Sequence, residues 1–109
     1  MQKKFLKAED DIRRLATGYG SCLATDMITV YGSLVGYMYR EESDSKIDSG
    51  WRFFAGTETD EYSNDPNNIE MYDVNTIAKY DPAIIPHLTE PPGVALVRFG
   101  EKFVRDEEV

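Results

Sequence analysis

Between Gly36 and Pro82 the chain interleaves aromatic rings with carboxylates: Tyr37-Met38-Tyr39-Arg40-Glu41-Glu42, then Asp48-Ser49-Gly50-Trp51-Arg52-Phe53-Phe54, then Asp60-Glu61-Tyr62. Eight of the chain's aromatic residues lie in this stretch. Rings supply either core volume or rigid contact area, whereas clustered carboxylates repel one another and raise the local negative potential. The fold therefore has to bury part of this segment while leaving its acidic groups in water, and a surface that keeps both suits a cationic partner.

The charge is uneven along the chain. Residues 1–15 carry five basic and three acidic groups, residues 16–81 four and twelve, and residues 82–109 three and five, so the net charge of −8 equals that of the middle segment. Such a balance argues against phosphate backbones and anionic lipid headgroups, leaving neither nucleic acid nor membrane among the expected partners. A basic protein would be attracted. Simple solvation of an acidic protein accounts for the same numbers.

With 109 residues, 41% of them hydrophobic and 29% charged, the expectation is one globular domain that buries roughly two thirds of its unfolded surface. The single cysteine, Cys22, excludes an intramolecular disulfide, and no apolar run reaches the length of a signal-peptide core or a membrane span. A cytoplasmic location is expected. The apolar setting Ser21-Cys22-Leu23-Ala24 marks Cys22 as a small buried hydrophobe, not a nucleophile.

Phe5, Ala8, Ile12, Leu15 and Ala16 recur at helical spacing and Thr17-Gly18 supplies a stop, which predicts an N-terminal helix over residues 1–18. Gly20–Thr25 and Met27–Val30 read as short strands, and Tyr31-Gly32-Ser33 as the turn into a strand over Leu34–Arg40. That strand is apolar on both faces, with Val35, Tyr37 and Tyr39 on one and Leu34 and Met38 on the other, so it should be central. Glu41–Gly50 reads as an exposed loop before a strand over Trp51–Ala55 that pairs antiparallel with its predecessor.

Thr57–Asn68 is polar and turn-rich, and Ile69–Tyr72 is a further short strand. Asp73 caps a helix carrying Val74, Ile77 and Ala78 on one face, and Asp81-Pro82 starts a second that Pro86 keeps to little more than a turn. Beyond Pro91-Pro92-Gly93, Val94–Phe99 and Phe103–Val104 form a terminal hairpin. The fold class is α+β: a mainly antiparallel sheet of five to six short strands, an N-terminal helix, and two short helices after the central strands.

Four chemistries fail on these residues. A calcium loop counted from Asp60 places Tyr62, Asp65 and Met71 where a ligand, a glycine and a glutamate belong. His87, the one histidine, sits in Ile85-Pro86-His87-Leu88 with no glycine-flanked nucleophile and reads as structural. Carboxylate pairs occur by chance in so acidic a chain, and their separation, which decides glycosidase chemistry, is invisible. Gly18-Tyr19-Gly20 and Gly32–Gly36 lack the strand-loop-helix context and the cation of a phosphate cradle. No enzyme, metal or cofactor is expected.

The ordered blocks Ser21-Cys22-Leu23-Ala24, Val35 to Glu42, Asp48 to Gly56, Asp60-Glu61-Tyr62, Tyr72 to Ala78 and Tyr80-Asp81-Pro82 are similar to the bacterial immunity protein family numbered thirty-three, over residues 20–92. Residues 1–18 and the hairpin at 93–109 lie outside this resemblance. It implies a small α+β protein that binds a cognate polymorphic-toxin domain in the producing cell and neutralises it without catalysis or cofactor.

The resemblance supplies no binding residues, so the candidates come from the chain itself. Tyr39, Trp51 and Tyr62 are candidate anchors beside Glu41, Glu42, Asp44, Asp48, Asp60, Glu61 and Asp65, an acidic rim suited to a basic toxin domain. For Trp51 the favoured reading is core, packed in the sheet with Phe53. The alternative is a small-ligand or accessory regulatory domain, with Tyr37, Tyr39, Trp51 and Phe53 lining an apolar pocket.

Overall fold

The computed structural model describes residues 18–106, so the expected N-terminal helix lies outside the described residues. Among the described residues six strands form one sheet: β1 (Ser21–Thr25), β2 (Tyr37–Arg40), β3 (Asp48–Phe54), β4 (Ile69–Asp73), β5 (Ala95–Phe99) and β6 (Lys102–Arg105), in the order β4-β1-β3-β2-β5-β6. Every pairing is antiparallel except that of β1 with β3. With short helices between its strands, this is the expected α+β class, and β2 is internal, between β3 and β5.

Pleating sorts the residues of β2 and β3 to two faces. Met38 lies opposite Phe53 and Arg40 opposite Trp51, while Tyr37 lies opposite Phe54 and Tyr39 opposite Arg52. The first face, extended by Cys22, Ala24, Leu96 and Phe103, is covered by α1 (Asp26–Thr29), α3 (Val74–Tyr80) and the 3₁₀ segment Pro82–His87, which contribute Ile28, Val74, Ile77, Ala78 and Ile84, with Leu88 following. Trp51 and Phe53 are fully buried there, their rings stacked with centroids 6.0 Å apart, and Trp51 Nε1 donates to Leu88 O at 3.2 Å. The second face carries Tyr37, Tyr39, Arg52 and Phe54.

Both expected helix starts are present. Asp73 accepts from the Asn75 amide at 2.8 Å and Asp81 from that of Ala83 at 3.2 Å, satisfying donors that a helix start leaves unpaired. Pro86 sits inside the second segment, which is a 3₁₀ helix and not an α-helix. The polar stretch Thr57–Asn68 also contains two short turns of helix: α2 (Asp60–Ser63), capped by Thr59, and the 3₁₀ segment Pro66–Asn68, capped by Asp65.

Three boundaries depart from the sequence reading. Met27–Val30, expected as a strand, falls largely within α1, where the Val30 amide returns to Asp26 O at 2.8 Å and Ile28 and Thr29 are buried. Four residues are too few for a helical period to show. The central strand begins at Tyr37 and not at Leu34, because the backbone of Val35 is claimed elsewhere: its amide donates to Asp81 Oδ2 at 2.9 Å and its carbonyl accepts from Arg98 Nη1 at 2.8 Å. β3 starts at Asp48, three residues before the expected Trp51. The Ser49 hydroxyl donates to Ser21 O at 2.6 Å, and the pairing with β1 shifts register between Ser21 and Leu23. Gly50 holds φ +88° beside the Glu41 carbonyl, a place without room for a side chain.

Candidate functional site

On the second face, Tyr37 and Tyr39 of β2 and Phe54 of β3 form a row of half-buried rings. Tyr39 stacks on Phe54 with centroids 5.9 Å apart and planes 8° from parallel, and Tyr37 is tilted against both. The segment after β3 folds across this face and leaves a hollow on either side. One, of about 700 Å³, is lined by the three rings with Glu58, Ser63, Val97 and Arg98. The other, of about 310 Å³, shares Tyr39, Phe54 and Ser63 and adds Leu23, Glu41 and Arg52.

The crossing segment is fastened by one carboxylate. Glu58 Oε2 accepts from the Thr25 hydroxyl at 2.6 Å and the Ala55 amide at 2.7 Å, and Oε1 accepts from the Gly56 amide at 2.9 Å. The Thr25 bond ties the strap to β1 and the other two fix its own first turn, so Glu58 is a structural acceptor. Tyr62, on the strap, is half-buried with its hydroxyl enclosed and without a hydrogen-bond partner among the described residues. Burial, and then the charge of Asp26, push its phenol upward.

At the other end Arg52 is held by two carboxylates, with Nη2 2.8 Å and Nη1 3.0 Å from Asp48 and Nε 2.8 Å from Glu41. The hydrogen bonds from Arg52 outweigh burial and lower the Asp48 carboxyl from 3.8 to about 2. The same bonds push Arg52 upward. The Tyr39 phenol is raised, first by burial and then by Glu41. Among the described residues only Oε2 of Glu41 is engaged, and half of its side chain faces solvent.

The structure divides the candidate residues. Tyr39 belongs to both hollows and Glu41 to the smaller one, with Asp48 joined to it through Arg52. Glu42 and Asp44 are exposed in the loop that follows β2, and Asp60 and Glu61 are exposed in the first turn of α2. Asp65 is exposed and spends one oxygen capping the next turn. Trp51 is the exception: it is fully buried on the helix-covered side and has no surface to offer a partner. Nor do Trp51 and Phe53 frame one hollow with Tyr37 and Tyr39, because the strand pairing sets their side chains on opposite faces.

Phe54 and Arg52 are the residues that the sequence reading passed over. Their signal was the alternation itself, since a strand that buries Trp51 and Phe53 turns Arg52 and Phe54 to the other side. Glu58 carried no such signal. Cys22 is buried, and burial followed by the charge of Asp73 drives its thiol upward, away from the reactive thiolate. His87 packs edge-on against Phe103, centroids 5.4 Å apart. Among the described residues no three His, Cys, Asp or Glu side chains are grouped to hold a metal ion, and no helix is long and apolar enough to cross a membrane.

Comparison with curated proteins gives no match, and comparison with solved structures gives none. The family model described as Immunity protein Imm33 domain matches residues 22–107. This span runs past the resemblance over residues 20–92 and takes in the terminal hairpin, β5 and β6. With most of its length matched, the chain belongs to the Imm33 immunity protein domain family.

Proposed function

We propose that this protein neutralises a cognate toxin domain by covering its working surface with the strap-crossed face of the sheet. Membership of an immunity protein family supports a toxin partner in general terms. The observation that carries the choice of face is the half-buried row Tyr37, Tyr39 and Phe54, flanked by exposed carboxylates on the loop after β2 and on α2. Rings of this kind give contact area at little rotamer cost, and the acidic rim steers a basic partner into register.

In this reading Tyr39 and Tyr62 are the aromatic contacts, and Glu41, Glu42, Asp44, Asp48, Asp60, Glu61 and Asp65 form the rim. Trp51 supports the face from beneath. Occlusion needs no catalytic group, and a standard interface of about 800 Å² per partner would suffice. The encounter takes place in the cytoplasm of the producing cell, with neither nucleic acid nor membrane as partner.

Co-purification with the product of the adjacent gene tests the function. The expected result is a stable complex and loss of protection when the immunity gene is deleted; absence of both refutes it. Glu41→Lys combined with Glu42→Lys should slow association and leave the fold intact.

The larger hollow supports a second reading, a site for a small apolar ligand, because its volume lies within the range of ligand pockets. A saturable small-molecule ligand displaced by Tyr37→Ala, with no toxin binding, would favour that reading.

A further inference from the structure

We infer that the ring row is a receptor for a guanidinium group: an arginine side chain of the partner seats against Tyr39 and Phe54 and closes on Glu41. This deepens the proposed function and rests on its choice of face. The stacked pair Tyr39 and Phe54, with Tyr37 tilted against them, presents π-systems that attract a cation and suit a planar one above all.

The charges beside the rings are unbalanced in the same direction. In the smaller hollow Arg52 is bracketed by Asp48 and Glu41, leaving one negative charge in excess. In the larger one Arg98 is neutralised by Asp81, and Glu58 remains, its oxygens fixed by Thr25, Ala55 and Gly56. Among the described residues each side of Tyr39 is therefore anionic by one unit and already organised. Among the described residues the second oxygen of Glu41 has no donor and is open to a new one.

An apolar side chain placed here would strip water from Glu41 and return no hydrogen bond, a costly exchange. A lysine ammonium would answer the charge, but it is a compact, strongly hydrated ion that gains less from ring faces than a guanidinium does. The molecule already seats guanidinium groups on rings at two other places, Arg40 over Trp51 at 5.7 Å and Arg98 over Phe103 at 5.0 Å.

The test uses N-acetyl-arginine amide as probe, titrated into the full-length protein and followed by backbone amide shifts in NMR, with N-acetyl-lysine amide and N-acetyl-leucine amide as comparators. Saturating shifts should appear at residues 37–41 and 52–58 with the arginine probe, tighter than with lysine, and should be absent with leucine. Tyr39→Leu should weaken arginine binding about tenfold, the scale of one partly desolvated cation–π contact. Glu41→Gln, a solvent-facing change that leaves the core intact, should weaken it several-fold, and Glu90→Gln should leave it unchanged.

The inference fails if leucine amide saturates the same residues, or if both Tyr39→Leu and Glu41→Gln bind the arginine probe as the parent does. The titration contains no toxin, so receptor and function stand or fall separately. Toxin binding without arginine binding overturns the receptor and leaves the immunity function standing. Arginine binding without toxin binding supports the receptor and removes the function.

Discussion

Asp81 and Arg98 join three stretches of chain through one buried pair. Asp81 Oδ2 accepts from Arg98 Nη1 at 2.6 Å and from the Val35 amide at 2.9 Å, while Arg98 also reaches Val35 O and Gly100 O. Removing one member strands the other charge, so Asp81→Ala should cost about 3–5 kcal/mol in chemical denaturation. Replacing both, Asp81→Leu with Arg98→Met, should recover a large part of that loss. Asp48 supplies a second residue-level test. Its carboxyl is depressed from 3.8 to about 2 by Arg52, so its stabilising contribution is complete above the ordinary value and is lost as pH falls through about 2. Urea midpoints measured from pH 5 downward should fall more steeply in the parent protein than in Arg52→Gln.

Among the elements, what was legible in the sequence was whatever local chemistry decides. The carboxylate caps at Asp73 and Asp81, the β2–β3 pairing and the terminal hairpin follow from spacing and turn residues, and all are present. What escaped was decided by distant partners. Val35 looks like strand and is drawn off it by Asp81 and Arg98, whereas Asp48-Ser49-Gly50 looks like loop and is drawn into β3 by Ser21 and Arg52. In the site, the rings and carboxylates were visible as types, but the separation of Trp51 from Tyr39 required the pairing register. Gly36 illustrates a further element-level constraint: a Cβ there would collide with the Ala55 carbonyl of the neighbouring chain segment. Gly36→Ala should push β2 from the end of β3 and destabilise the protein by about 1–3 kcal/mol, read as a lower denaturation midpoint.

The net charge of −8 acts at a distance that single contacts do not. Association with a basic toxin domain should be fast at low salt and slow several-fold as ionic strength rises past the physiological value, where the Debye length is about 8 Å. Stopped-flow rates that stay flat across that range would exclude steering. Dissociation, governed by the desolvated contacts around Tyr39, should depend far less on salt.

β2 is internal because β5 pairs along its outer side, with β6 beyond it. A chain cut before Ala95 would leave the hydrogen-bonding groups along Tyr37-Met38-Tyr39 open to solvent on an apolar rim, an invitation to edge-to-edge aggregation. The newly made polypeptide passes through that condition during synthesis, before β5 and β6 have left the ribosome. A truncation ending at Gly93 should accordingly be recovered as aggregate, and pairing the same fragment in trans with a β5–β6 peptide should return it to solution.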